Sequence, residues 1–195
     1  MRVSPGRAAV LLIVVLGVAL AAFNVYFRYA TTNRIHAQWG TAALLRVAEA
    51  PRAEWWDLAR ADANAQPDAT PTGQTVETVV ERIALDGRTF AVRRRGDLIG
   101  ARGFVHLRNA LGQNASYDWT REPTGAGAWR WAIAFVDDRE RTVLLFDDAF
   151  RVARTFESPE PVTLTDKMSA GLKTFFAEQT ERANQVGHAG GADAR

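Results

Sequence analysis

Cysteine is absent from the 195 residues of this chain. The chain therefore has no disulfide, no thiolate nucleophile and no cysteine-ligated zinc site. Histidine is scarce, with His36, His106 and His188 only, and lysine occurs only at Lys167 and Lys173. The basic residues are therefore nearly all arginines, which we attribute to the codon usage of a GC-rich bacterial genome.

The sequence motifs of common catalytic sites are also missing. None of the serines stands in G-x-S-x-G, and the sequence has no P-loop and no H-E-x-x-H. The short run Gly125-Ala126-Gly127 lacks the third glycine of a dinucleotide-binding loop. These absences predict no cofactor and no metal site, and they favour a binding protein over an enzyme.

The positive charge of the chain is confined to its beginning. The formal net charge is +2, and residues 1–27 contain Arg2 and Arg7 but no acidic residue. The rest of the chain holds 22 basic and 22 acidic residues. A protein that binds nucleic acid needs a basic excess to neutralise phosphates, so nucleic acid is not an expected partner.

One long apolar run, Ala8–Phe27, contains no charged residue. A helix needs about 20 mostly apolar residues to cross the hydrocarbon core of a bilayer, so we predict a membrane anchor over 8–29. Two alternatives remain open. The run can be a signal peptide cleaved after the small-x-small pattern Ala19-Leu20-Ala21, or a buried helix of a soluble protein.

The charges that flank the run indicate its orientation. Arg2 and Arg7 favour a cytoplasmic tail over 1–7, although Arg28 and Arg34 on the other flank oppose this bias. We therefore expect a single-pass protein of the inner membrane, with the remainder of the chain periplasmic or extracellular. Its partners would be the membrane and a protein of the cell envelope.

Beyond the anchor, composition divides the chain into four parts. Residues 30–60 are predicted to be a juxtamembrane helical segment, including one or two turns over Glu54–Ala59. Residues 61–74 contain prolines and almost no large apolar residue and are predicted to be a linker. An α+β domain is expected over 75–186, followed by a disordered tail over 187–195.

Within 75–186, two hairpins are predicted. Asp86-Gly87 favours a two-residue turn that places Leu85 opposite Arg88 and Ile83 opposite Phe90. The second hairpin joins Trp129–Val136 to Thr142–Phe146 through a loop over 138–141. In this register Asp137 faces Thr142, and Trp129, Trp131, Ile133 and Phe135 share one face.

Helices and two further extended segments, one of them over Arg151–Phe156, complete the predicted domain. Helices are expected over 101–112 and from Thr163 onward, where Thr163 and Asp166 form a capping pair, and a strand is expected over Ser116–Thr120. The predicted fold class is α+β: an N-terminal transmembrane helix, then one small domain with a mostly antiparallel sheet flanked by helices.

Two short segments are candidates for partner binding. The first is the pair Trp55-Trp56, which either packs the helical segment onto the sheet or is exposed for docking. The second is the run Arg93-Arg94-Arg95, which is either a solvated strand end or a patch for an acidic partner or lipid head groups.

An envelope hydrolase or metal-dependent enzyme is the alternative function, with His106 acting beside Asp118 or Asp138. The acidic pairs Asp137-Asp138 and Asp147-Asp148 suggest a divalent ion, but their spacing along one hairpin predicts that they are too far apart to share it. Asn114-Ala115-Ser116 also matches a glycosylation sequon.

Overall fold

The computed structural model describes residues 5–60, 82–85, 88–124, 128–138, 140–158 and 160–189. Several predicted features lie outside these ranges: residues 1–4 of the cytoplasmic tail, the linker over 61–74, the start of the domain at 75–81, the turn residues Asp86 and Gly87, and the end of the tail at 190–195. The fold is mixed α+β, as the sequence predicts: a long apolar helix is followed by a curled antiparallel sheet flanked by helices.

The first helix, α1, runs over Pro5–Trp39. It is the one helix among the described residues that is long and apolar enough to span a membrane. Its large apolar side chains from Leu12 to Tyr29 are exposed, as expected of a surface that faces lipid rather than a protein core.

The last turns of α1 belong to the domain. Ile35 and Trp39 are buried in its core, and the side chain of Asn114 bonds two main-chain groups of α1. Its Oδ1 accepts from the N–H of Ile35 at 3.0 Å, and its Nδ2 donates to the carbonyl of Ala30 at 3.0 Å. The apolar part of α1 therefore joins the domain without an intervening loop.

The sheet has seven strands in the order β2-β3-β1-β4-β5-β6-β7, all antiparallel to their neighbours. The strands are β1 Arg52–Arg60, β2 Arg82–Leu85, β3 Arg88–Asp97, β4 Trp129–Val136, β5 Arg141–Asp147, β6 Val152–Thr155 and β7 Val162–Thr163. The remaining helices are α2 Thr41–Glu49, α3 Phe104–Leu111 and α4 Asp166–Ala189, and a 3₁₀ turn covers Asn114–Ser116.

The helical prediction over 30–60 is correct to Glu49 and wrong beyond it. Arg52–Arg60 is β1, which pairs with both β3 and β4 near the centre of the sheet. Five consecutive residues, Trp55 to Ala59, are buried. A strand covered on both faces has no alternation of apolar and polar residues, so its pattern does not distinguish it from a short helix.

The first hairpin is confirmed in its described part, since Leu85 pairs with Arg88 and Ile83 with Phe90. The second has the predicted strands but a different register, because Phe135 rather than Asp137 faces Thr142. The carboxylate of Asp137 accepts from the N–H of Glu140 at 2.7 Å. This bond closes the turn one residue earlier than the predicted loop, so that Val136 faces Arg141.

Three smaller predictions also need correction. Ser116–Thr120 is not a strand: Tyr117 forms an isolated bridge with Leu164. Helix α4 begins at Asp166, and Thr165, not Thr163, caps it by accepting from the N–H of Met168 at 3.3 Å. The tail predicted over 187–195 begins inside α4, which extends to Ala189.

Two apolar clusters lie on opposite faces of the sheet. The helix-side core joins α1 to α4 with Trp55, Ile133, Phe135 and other residues of that face. The outer core contains Trp56, Leu58, Trp129 and their neighbours on the other face. A bulge between Trp129 and Trp131 turns Trp129 to the outer core, so the predicted alternation holds only from Trp131 to Phe135.

Candidate functional site

The tryptophan pair does not form an exposed docking site. Trp55 and Trp56 are 2% and 3% exposed. As neighbours on β1 they point to opposite faces, with Trp55 in the helix-side core and Trp56 in the outer core. Both side chains are therefore buried, as in the packing alternative, but they belong to a strand of the sheet and not to a helical segment packed onto it.

The three arginines of β3 have different surroundings. Arg94 turns toward the helix-side face, where it pairs with Asp57. Arg93 and Arg95 are exposed, and Arg93 lines a cleft with three other arginines. The run Arg93–Arg95 is therefore not one continuous patch, because alternate residues of a strand face opposite sides.

A buried aspartate connects three strands to α4. The side chain of Asp57 is 2% exposed, and its Oδ2 accepts from Nε and Nη2 of Arg94 at 3.0 and 2.8 Å. Its Oδ1 lies 3.1 Å from Nη2 of Arg130. Arg94 also donates to Asn184 of α4 at 3.4 Å. The charge of Asp57 is therefore paired within the protein, although its Oδ1 has an ion-pair contact with Arg130 and no hydrogen bond from a described residue.

The arginine cleft is lined by four arginines from three strands, Arg60, Arg88, Arg93 and Arg130. It has a volume of about 670 Å³, and its floor includes Phe90 and Trp129 of the outer core. Asp148 is the one carboxylate among its described lining residues. Arg60 and Arg93 are exposed, and neither forms an ion pair with a described residue. The cleft therefore concentrates positive charge suited to an anionic ligand.

A second cationic cleft lies between the start of α4 and the turn that precedes β6. This Lys173 cleft has a volume of about 380 Å³ and presents Arg121, Arg151, Lys173 and the single carboxylate Asp166. Arg121 pairs with Asp118 at 3.7 Å and with Asp166 at 3.8 Å. Hydrogen bonds from the side chain and the N–H of Thr120 lower the pKa of Asp118.

The structure does not assemble the alternative catalytic site. His106 lines a mainly apolar groove of about 650 Å³ between α3 and α4, with Met168, Phe175 and Glu178. Neither Asp118 nor Asp138 lines this groove. Within the described ranges, no group of three or more His, Asp or Glu residues is placed to hold a metal ion.

The acidic pairs of the second hairpin lie at opposite ends of it. Asp147 Oδ1 accepts from the N–H groups of Arg151 and Val152 at 2.6 and 3.0 Å, which closes the turn between β5 and β6. Asp137 closes the turn between β4 and β5 in the same way. The two aspartates therefore organise turns at opposite ends of the hairpin. This agrees with the prediction that the acidic pairs are too far apart to share one ion.

The glycosylation sequon has a structural use. The Nδ2 atom of Asn114, which a glycan would modify, donates to the carbonyl of Ala30 at 3.0 Å and to Oδ1 of Asn33 at 2.9 Å. Both bonds tie α1 to the segment that follows α3.

The buried carboxylate of Asp57 and the arginine cleft are the polar features that sequence reasoning missed. The local pattern around Asp57 predicts a helical turn and gives no sign of a buried carboxylate. The four cleft arginines are separated along the chain, so only the basic run of β3 indicates positive charge locally. Comparison with family models, with curated proteins and with solved structures finds no match to this chain.

Proposed function

We propose that this chain is a single-pass protein of a bacterial inner membrane whose domain binds an acidic protein of the cell envelope through the arginine cleft. The observation that carries the proposal is the placement of four arginines around one cleft whose described lining has one carboxylate, Asp148. Arg130 is paired with Asp57, so Arg60 and Arg93 carry the charge that a ligand would meet. Residues 28–195 have balanced charge overall, so a local excess of this kind is a specific feature of this surface.

The chemistry of the cleft favours a carboxylate-rich partner. Guanidinium groups bind carboxylates through paired hydrogen bonds, and the cleft opens between strand ends rather than in an enclosed cavity. The aromatic rings in its floor add apolar contact area for the stem of an acidic side chain. The envelope assignment rests on α1 and on the basic residues Arg2 and Arg7, which precede its apolar run.

The location is tested by reporter fusions at the C-terminal end of the full chain. Alkaline phosphatase, which is active only outside the cytoplasm, is expected to be active, and a fluorescent protein that matures only in the cytoplasm is expected to be dark. The reverse pattern would contradict the orientation. N-terminal sequencing of the purified protein separates an anchor from a signal peptide, because a chain that begins at Ala22 has lost its anchor.

Binding is tested on the full chain in phosphatidylcholine nanodiscs, with a labelled hexaglutamate peptide as the probe. The variant Arg60→Gln/Arg93→Gln is expected to weaken binding about tenfold at low salt, because it removes two charge contacts of roughly 0.7 kcal/mol each. Wild-type binding should fall as salt is added.

The control variant, Arg52→Gln/Arg102→Gln, carries the same change of net charge at exposed positions that do not line the arginine cleft. Its affinity for the peptide should stay within about twofold of wild type. If both variants lose affinity equally, binding reflects overall charge and the assignment to this cleft is wrong.

A further inference from the structure

The Lys173 cleft is linked by hydrogen bonds to the segment that holds the end of α1. Asn114 contacts the carbonyl of Ala30, and two residues later the carbonyl of Ser116 accepts from the N–H of Thr165 at 3.0 Å. Leu164, beside Thr165, donates its N–H to the carbonyl of Arg151 at 2.7 Å. The Asn114 side chain and two backbone hydrogen bonds therefore link Ala30 to Arg151 in the wall of the cleft.

Ala30 lies between the part of α1 that packs on the domain and the exposed apolar part of the helix. Downstream of Ala30, Ile35 is buried and Gln38 donates to the carbonyl of Glu160 at 3.0 Å, which lies before β7. Upstream of Ala30, the apolar side chains of α1 are exposed. The aromatic residues Tyr26, Phe27 and Tyr29 match the headgroup level of a bilayer, so the membrane surface would lie near Ala30.

Two cations of the cleft are available to an anion. Arg151 and Lys173 are exposed, and neither forms an ion pair with a described residue. The carboxylate of Asp166 is 97% exposed and contacts only the edge of Arg121 at 3.8 Å. Long basic side chains near a membrane reach its surface by extending their stems, and each gains attraction from anionic lipids.

We propose that the Lys173 cleft binds the phosphate of an anionic phospholipid headgroup, held between Arg151 and Lys173 with Arg121 at its rim. The cleft volume of about 380 Å³ suits a headgroup rather than a folded partner. The inference rests on α1 crossing the membrane, which is part of the proposed function. It is independent of the arginine cleft, because the two sets of lining residues share no member.

The experiment uses the full chain in nanodiscs of phosphatidylcholine mixed with phosphatidylglycerol. Native mass spectrometry counts the phosphatidylglycerol molecules that remain bound after the disc is removed. Wild type is expected to retain phosphatidylglycerol in preference to phosphatidylcholine. The variant Arg151→Gln/Lys173→Gln is expected to retain about tenfold less phosphatidylglycerol, because each cation near the surface contributes a similar free energy to lipid binding. The control Arg52→Gln/Arg102→Gln carries the same charge change and should behave as wild type.

Each outcome has a distinct meaning. Failure of the chain to enter nanodiscs contradicts the membrane anchor, on which both proposals depend. Entry without selective retention, or equal retention by the variant and wild type, overturns the lipid site alone. A parallel titration with inorganic phosphate separates the two sources of the anion: retention of free phosphate without phosphatidylglycerol also overturns the lipid site.

Discussion

Replacing Arg94 and Arg130 together by methionine is expected to lower the free energy of unfolding by about 3–5 kcal/mol. The double change leaves the carboxylate of Asp57, only 2% exposed, without its cationic partners. An unpaired charge in the interior loses its hydration without compensation, whereas methionine keeps most of the apolar stem of arginine. Urea unfolding of the full chain in detergent micelles, followed by tryptophan fluorescence, measures the loss.

The opposite substitution should cost less. In Asp57→Asn the two arginines lose their partner, but their side chains are 39% and 32% exposed and can turn to water. We expect a loss of about 1–3 kcal/mol. The triple variant Arg94→Met/Arg130→Met/Asp57→Leu should recover much of the double variant's loss, because apolar groups can replace a buried ion pair. A larger loss for Asp57→Asn than for the double arginine variant would contradict this asymmetry.

Phe176→Ala is expected to destabilise the domain by about 3–5 kcal/mol, the usual cost of deleting a buried aromatic ring. Phe176 is 1% exposed, and its ring lies 5.1 Å from those of Trp131 and Phe150 and 6.3 Å from that of Phe146. It thereby holds α4 against β4, β5 and the turn after β5. The same urea unfolding measures the effect.

The control for Phe176→Ala is Leu45→Ala on α2. Leu45 is 54% exposed, so its truncation should change stability by less than about 0.5 kcal/mol. A loss below about 1 kcal/mol for Phe176→Ala would show that α4 is not held by this aromatic cluster.

Local patterns predicted most of the sheet correctly. Asp86-Gly87 marks the first hairpin, and the alternating residues from Trp131 to Phe135 mark β4, the first strand of the second hairpin. In both, the signal comes from residues adjacent in the chain. The same reasoning fails at β1. Both faces of β1 are covered by other parts of the fold. The residues Glu54–Ala59 give no local signal that two strands, β3 and β4, pair with this segment.

The arginine cleft shows the same limit for the candidate site. Arg93 stands in a basic run that is visible in the sequence, whereas Arg60, Arg88 and Arg130 each stand alone among neighbours of mixed character. They converge because β1, β3 and β4 are adjacent and their ends meet. Strand order is a property of the whole fold. The sequence therefore shows where each arginine stands in the chain, but it does not predict which arginines lie side by side in the structure.

The unbroken passage of α1 into the core, secured by Asn114, has a mechanical consequence. A domain joined by a flexible linker can sample many orientations, whereas a helix transmits rotation and tilt along its length. If α1 spans a bilayer, as proposed, a turn or tilt of this helix must also turn the sheet packed on Ile35 and Trp39. Bilayer thickness, which sets the tilt of a spanning helix, would thereby set the direction in which the arginine cleft faces.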